Sequence, residues 1–268
     1  MLAQPIDMER IPTFRFIQPK LDGIRLIWDG IEAYSRNGKP IQGYPSLIKN
    51  LKEQFRGIPL DGELYHHGTH FQKLVSSVRR SRNIIENPNI KYHVFDHPIK
   101  DSTFSMRWNL LLPELRKINS NLIVAVETVD ASKIPIDELN IFINRGYEGT
   151  MIRNGHSYYE FGKRSFELLK LKPINDDDGI IIGFQEGEGK YEGMLGALEC
   201  QTISLNKNFE VVSRVKFKLG SGFTDEQRMN IWKAKDLLLG KLVTYKYQEL
   251  TLDGVPRFPR FKSIRDYE

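Results

Sequence analysis

The last third of the chain restricts the fold most. Beyond Asp176-Asp177-Asp178 the apolar residues fall into short strand-like runs: Gly179 to Phe184, Leu198 to Ser204, Phe209 to Lys218 and Lys241 to Leu250. Asn206-Lys207-Asn208 reads as a turn between the middle two. A single helix, Thr224 to Lys233, starts with a Thr-x-x-Gln capping box at Thr224 and Gln227. About five short strands and one helix in roughly 90 residues predict a small barrel of the OB type, a shape that commonly binds nucleic acid. The polar Asp176–Asp178 run beside Gly179 marks the expected boundary between residues 1–175 and 176–268.

The bulk properties agree with two ordinary domains. The chain has 268 residues, 40% of them hydrophobic and 27% charged, enough apolar material for a sizeable core. A formal charge of +5 tilts the expected partner towards a polyanion. One cysteine, Cys200, excludes an internal disulfide framework and a multi-cysteine zinc site. Met1 to Phe16 mixes acids, bases and prolines without a continuous apolar run. No signal peptide or transmembrane segment is expected, so the cytoplasm is the expected compartment: beside the nucleoid, or in the host cytoplasm for a viral chain. A monomer is the default.

The first part reads as mixed strands and helices. Phe14 to Pro19 is a strand leading into Lys20-Leu21-Asp22-Gly23-Ile24-Arg25. There an amine nucleophile stands beside an acid, a glycine that lets the chain turn, and an arginine fork suited to phosphate. If the segment is extended, Lys20 and Asp22 share a face. Arg25 to Trp28, Asp29-Gly30 and Ile31 to Ser35 predict a hairpin with a type I′ turn. Ser35-Arg36-Asn37-Gly38-Lys39 then places two cations in an exposed loop, and Pro45 to Phe55 reads as a helix.

In Leu60-Asp61-Gly62-Glu63-Leu64, alternation puts Asp61 and Glu63 on one face of a strand. Two adjacent carboxylates call for a cation, a metal or sugar hydroxyls nearby, or else a solvent-facing edge. His66, His67 and His70 lack a further matched ligand pair and read as loop histidines. Arg79-Arg80-Ser81-Arg82 is the densest basic run, either a solvated face or a nucleic-acid patch. Ile90 to Phe95 is strand-like, and Phe95 is either core or a stacking platform for a base. Met106 to Lys117 reads as a helix, Leu122 to Thr128 as a strand, and Ile136 to Asn144 as a helix capped by Gly146. Glu148 stands at the mouth of a short strand through Arg153. Lys170 and Lys172 share one face of the strand Phe166 to Lys172, where water or an anion such as phosphate must offset them.

Taken together and in this order, these motifs resemble those of minimal ATP-dependent DNA ligases. Those enzymes belong to the covalent nucleotidyltransferase superfamily, which also holds RNA ligases and mRNA capping enzymes. Lys20 to Arg25 resembles the nucleophile motif, and Ser35-Arg36-Asn37-Gly38 the DNA-contact loop after it. Leu60 to Leu64, Tyr92 to Asp96, Glu148 to Arg153 and Leu168 to Pro173 resemble the remaining pocket motifs. Gly193 to Leu198, Gly220 to Thr224 and Arg257 to Phe261, with Ile264-Arg265-Asp266, are similar to the ligase OB domain and its last motif.

The resemblance implies an α+β fold: a nucleotidyltransferase domain of antiparallel sheets with flanking helices, followed by an OB-fold β-barrel domain. It implies nick sealing in duplex DNA with ATP and Mg²⁺ or Mn²⁺. Lys20 would attack the α-phosphate and become lysyl-AMP, which passes to a nick 5′-phosphate and is displaced by the 3′-hydroxyl. Asp22, Arg25, Lys170 and Lys172 would complete the catalytic set. Gln18, Glu63, Phe95, Glu148, Arg257 and Arg265 join Lys20, Arg25 and the two lysines as nucleotide contacts. Asp61 and Glu148 would serve a metal, since hard cations favour carboxylate oxygen. Arg36, Arg79, Arg80, Arg82 and Arg164 would contact phosphates along nicked strands. The family moves its OB domain about a hinge, and Asp176 to Gly179 matches that pivot.

The chain departs from the family at two places. Gln18 stands where an acid is often found, and Tyr267-Glu268 follows Asp266 where the family's final motif commonly ends in a lysine. Arg265, Lys262 or Arg260 would then orient pyrophosphate. An RNA ligase or a capping-type enzyme shares the Lys20 chemistry, but Gly220 to Thr224 and the arginine-rich tail fit DNA ligases better. A non-catalytic nucleic-acid-binding module leaves Lys20, Glu148 and Lys170 unexplained.

Overall fold

Short apolar runs closed by glycine or proline give strands rather than helices through most of the chain. The computed structural model describes residues 1–265 except 42, 70, 72, 76–86, 119 and 206–210, with backbone alone at 204–205 and 211–213. Two units emerge, Met1–Lys172 and Pro173–Glu268.

The first unit contains β1 (Leu2–Pro5), β2 (Arg15–Lys20), β3 (Ile24–Trp28), β4 (Ala33–Ser35), helix α1 (Pro45–Gln54), β5 (Leu60–Tyr65) and β6 (Lys91–Asp96). Helix α2 (Phe104–Lys117), β7 (Ile123–Ala125), β8 (Val129–Asp130), β9 (Gly149–Asn154) and β10 (Arg164–Leu171) follow. They build two five-stranded sheets, ordered β1-β10-β9-β2-β8 and β4-β3-β5-β6-β7. Pairing is antiparallel except for β1 on β10 and β7 on β6. Long strands lie inside each sheet, and the four edges are β1, β8, β4 and β7, of two to four residues.

Helices α1 and α2 cover the second sheet with apolar stripes at helical spacing. Pro45 opens α1 at its first turn, where no amide partner is lost, and Leu47 and Leu51 are buried. Thr103 caps α2, and Phe104, Trp108, Leu111 and Leu115 face inward onto Leu26, Trp28, Leu60, Leu64 and Tyr92. A smaller core beneath the first sheet joins Ile17, Ile152 and Leu169 to Leu139 and Phe142.

The second unit contains β11 (Asn175–Glu186), β12 (Leu195–Thr202), β13 (Ser204–Leu205), β14 (Val211–Ser213), β15 (Lys216–Leu219), helices α3 (Asp225–Lys233) and α4 (Lys235–Leu238), β16 (Leu242–Tyr247) and β17 (Arg260–Arg265). Its sheet runs β15-β12-β11-β16-β17. Ser221, just past β15, bridges to Arg260, and its carbonyl accepts from the Phe261 amide at 2.8 Å, which brings the two outer strands together. Gly222 lies at this seam with φ +93°, where a Cβ would stand 2.6 Å from the Phe261 nitrogen. The predicted capping box at Thr224 and Gln227 forms.

Several local expectations change. Asp29-Gly30 does not make a two-residue type I′ turn: Trp28 pairs Ala33, leaving a four-residue loop. The Asp29 carboxylate accepts from the Ile31 and Glu32 amides and stabilises that longer loop. The stretch Ile136 to Asn144 forms two 3₁₀ turns instead of a helix, although Gly146 does cap the second with φ +80°. Ile123 to Asp130 splits into β7 and β8 because the chain passes there from one sheet to the other. The Asp176–Asp178 run, expected at the domain boundary, lies just past the division after Lys172 and is part of β11, paired along its length with β16. Its charges are tolerated because Lys262 reaches Asp176 at 2.5 Å and Arg265 reaches Asp178 at 3.2 Å.

The fold carries one titration of its own. Burial pushes the His93 imidazole down to about 4, and Lys91 adds to the fall. His93 therefore stays neutral in the native state while the unfolded chain takes up a proton near pH 6.5. Stability should fall as pH drops from 6.5 towards 4, by about 2 kcal/mol between pH 7 and 5. Urea titrations at the two pH values should show this loss, and His93→Gln should remove most of it.

Candidate active site

Strand register builds the site. Lys20 pairs Gly149, Gln18 pairs Met151 and Phe16 pairs Arg153, so these side chains share one face of the first sheet. Leu168 and Lys170 of β10 extend that face, pairing Arg153 and Met151. Across from it, Arg25 pairs Glu63 and Ile27 pairs Asp61 on the second sheet. Between the two faces lies a cavity of about 1030 Å³, lined by Gln18, Lys20, Arg25, Asp61, Glu63, Phe95, Arg153, Arg164 and Lys170, and by Arg36 and Lys39 of the exposed loop. That volume is sufficient for a nucleotide-sized ligand.

Phe95 reaches the cavity by alternation: Glu63 pairs His93, and Phe95 lies two residues further along the same face of β6. Asp61 pairs Asp96 while Gly62 pairs Val94, which leaves Phe95 as the extra, unpaired residue of a bulge on β6. Arg153 and Arg25 lie 5.2 and 5.9 Å from its ring centre.

The cationic end of the cavity is organised by Glu148. One oxygen is ion-paired with Lys20 and the other with Lys172. Burial alone would raise the Glu148 carboxyl, but Lys20 and Lys172 outweigh it and hold the group below the usual carboxylate range. Burial, then the charges of Lys172 and Lys20, lower the Lys170 ammonium. Nearby, burial pushes the Glu63 carboxyl up to about 7; Lys20 opposes this and Glu148 adds to it. A Glu63 oxygen also accepts from the Gly23 amide at 3.2 Å.

Gly149 fixes the distance between Glu148 and its lysines. A Cβ there would fall on the Leu171 carbonyl. Gly149→Ala should push β9 from β10, displace Glu148 and slow covalent nucleotide uptake roughly 100-fold. Single-turnover labelling will check this.

Other expected residues take different places. The sequence suggests a metal at Asp61, but both of its oxygens are already engaged. Arg25 donates from Nε at 2.9 Å and from Nη2 at 2.6 Å, and the Tyr159 hydroxyl donates at 2.7 Å. Arg25 also donates to the Met1 carbonyl at 2.8 Å, so its fork braces the cavity wall and is not left open for phosphate. Asp22 is half-buried beside the nucleophile. Arg164 donates to the Ala3 carbonyl at 2.8 Å and borders the cavity. Arg257 and Arg265 belong to the second unit, ion-paired with Glu249 and Asp178. Arg79, Arg80, Arg82 and His70 lie outside the described residues, as does Asp266.

Among the described residues no three acidic, histidine or cysteine side chains converge as a ready metal cage. Glu63 lines the cavity, and Glu148 adjoins it through Lys20; Glu148 would join Glu63 as a hard oxygen donor to a divalent ion once bound phosphate draws Lys20 and Lys172 away from it.

Sequence reading missed Arg153, Tyr159 and Thr128. Arg153 shares the alternation of Gly149 and Met151, a signal that was available; Tyr159 and Thr128 enter through loops and carried none.

Residues 1–172 match the model of the ATP dependent DNA ligase domain, and 186–265 that of the DNA ligase OB-like domain. The chain belongs to the ATP-dependent DNA ligase family. It is 30% identical to the DNA ligase of Haemophilus influenzae, over 90% of this chain and 83% of that one. An African swine fever virus DNA ligase is 28% identical over 95% of this chain and 64% of its own length. A structure from a study of Lig E DNA ligases and DNA binding with a minimal scaffold superposes with TM-score 0.78 at 25% identity, covering 98% of each chain. Chlorella virus DNA ligase-adenylate gives TM-score 0.55 at 27% identity, over 100% of this chain and 98% of that one. The α+β class with a nucleotidyltransferase unit and an OB-like unit is thereby established, and the chain is a DNA ligase that seals nicks. No described helix is long and apolar enough to cross a membrane.

Proposed function

We propose that Lys20 is the residue that carries AMP, and that the cavity around it adenylates the 5′-phosphate at nicks in duplex DNA. The observation that carries this reading is Lys20, held by the Lys172–Glu148–Lys20 chain of ion pairs, on the wall of a nucleotide-sized cavity floored by Gln18 and Arg153. Glu148, held low, is a weak base, so it acts as the counter-ion that extends Lys20 into the cavity. When a triphosphate brings its own negative charge, Lys170 and Lys172 gain new partners and stabilise charge on the transferring phosphoryl group. Phe95 offers a face for the base and Glu63 a carboxyl for the sugar. A divalent ion would be held by Glu148, with Glu63 near, and would supply charge neutralisation at the phosphates. Asp61 and Tyr159 hold Arg25 in place, and Asp22 completes the nucleophile turn.

Residues 1–175 are the adenylyltransferase part and 176–268 the DNA-binding OB part. Arg257 and Arg265 exchange Glu249 and Asp178 for the β- and γ-phosphates. Arg36, Arg164 and the Arg79, Arg80 and Arg82 run contact DNA phosphates, and the enzyme works as a cytoplasmic monomer. The test is incubation with labelled ATP, GTP or NAD, followed by a chase with nicked DNA or RNA. Covalent label from ATP at Lys20 that passes to nicked DNA supports the reading. Label from GTP alone, or sealing confined to RNA, overturns it.

A further inference from the structure

We propose that Asp176 and Asp178 stand in for two backbone phosphates: in the free enzyme they occupy cations of β17 that a DNA strand takes over on binding. This rests on the reading that residues 176–268 are the DNA-binding part.

Strand register gathers the groups on one face. Asp178 pairs Thr244 and Asp176 pairs Lys246, while Lys246 pairs Arg260 and Leu242 pairs Arg265. Directly paired residues point the same way, and alternate residues of a strand share a face. Asp176, Asp178, Lys246, Arg260 and Arg265 therefore lie on the face opposite Val243 and Tyr245, which are buried in the core. A bulge brings in one more cation. Thr244 pairs Ser263 while Tyr245 pairs Phe261, which leaves Lys262 as the extra residue of the ladder, and its amine reaches Asp176 at 2.5 Å.

The cations hold these acids as they would hold phosphate. Arg265 Nη2 lies 3.2 Å from Asp178, and its Nε donates to Thr244 Oγ1 at 2.9 Å. The Thr244 hydroxyl donates in turn to Asp178 at 2.7 Å. The hydrogen bond from Lys262, then the charges of Lys262 and Lys246, outweigh burial and keep the Asp176 carboxyl below its usual range. Carboxylates two residues apart on a strand stand about 7 Å apart, close to the separation of successive phosphates along one DNA strand.

Both pairs are open to exchange. The four side chains are 29% to 46% exposed, and ion pairs that accessible hold weakly. A duplex brings many phosphates at once and sheds its own counter-ions, so it outcompetes two exposed carboxylates. A triphosphate would engage one arginine fork, whereas a DNA strand also meets Lys246 and Arg260 on the same face. Binding then has to open two internal ion pairs, and each freed carboxylate takes up a cation from solution. That uptake offsets part of the counter-ion release that drives binding.

The experiment measures binding of the whole chain to a nicked duplex by fluorescence anisotropy across a salt series, without nucleotide or metal. The double variant Asp176→Asn, Asp178→Asn should bind about three- to tenfold more tightly at low salt, with the fall of log K against log salt steeper by roughly one unit per acid removed. Asparagine keeps the shape and the acceptor for Thr244, and unfolding cannot produce a gain in affinity. Asp177→Asn removes the same charge from the other face, where Asp177 pairs Tyr245, and should leave the salt slope unchanged. Lys262→Gln should weaken binding more in the double variant than in the parent, because only there has the amine lost its internal partner. Unchanged or weaker binding by the double variant, an equal gain from Asp177→Asn, or an equal loss from Lys262→Gln in both backgrounds overturns the proposal. So does a lower KM for ATP in covalent labelling with DNA affinity unchanged, since the acids would then face a nucleotide. A parent chain that binds no duplex at any salt would instead overturn the reading beneath it.

Discussion

Lys20→Ala is expected to take up no covalent adenylate and to seal ordinary nicks at least about 10⁴-fold more slowly than the parent enzyme. Lys20→Arg should do no better, because a guanidinium keeps its proton and cannot attack. Both variants should still close a nick whose 5′-phosphate is already adenylated, since that step needs the cavity and not the amine. The comparison of ordinary with pre-adenylated nicks separates loss of the nucleophile from loss of the fold. Lys20 is paired with Glu148, just before the neighbouring strand β9, and its removal leaves Glu148 still held by Lys172. The cavity wall should survive. Equal loss on both substrates would show that Lys20 is mainly structural.

Asp96→Ala is expected to destabilise the first unit by about 3–5 kcal/mol, enough to leave much of it unfolded. Asp96 is completely buried and joins Arg107, also completely buried, to Arg153, which is 4% exposed. Removing the acid leaves two guanidinium groups facing each other away from water. The same triad should mark acid unfolding. Burial would raise the Asp96 carboxyl, but Arg153 and Arg107 outweigh it and pull the group below its usual value. Its contribution is complete above the unfolded value near 3.9 and is lost as pH falls through the lower native one. Denaturant titrations of Asp96→Ala at neutral pH, and acid titrations of the parent, will test both statements. Since Arg153 also holds Gln18, Asp96 links stability to the nucleotide end of the cavity.

The part of this fold encoded locally was legible from sequence. Alternation gave β2, β5 and β10, and the capping box at Thr224 formed as written. Alternation also put Asp61 and Glu63 on one face, but their partners come from chain segments far away and left no local trace. Arg25 and Tyr159 reach Asp61 across 36 and 98 residues. The bulge that leaves Phe95 unpaired depends on how two strands align, a property of the pair and not of either sequence. Asp176–Asp178 stands close to the division between the units, but that these acids form a strand was not legible from three acids in a row, since the cations that offset them come from β17. The Ile136 to Asn144 segment has helical spacing, yet Leu139 and Phe142 are buried by two tight turns instead.

The placing of short strands at every margin of the first unit has a further effect. An open margin can template a neighbouring molecule, and the hazard grows with the length of unpaired backbone it offers. Here the four margins present four, two, three and three residues, one of them ending in Pro5. None offers enough ladder to seed intermolecular pairing, so the native protein can be concentrated on its polyanionic substrate without the sheets zipping together.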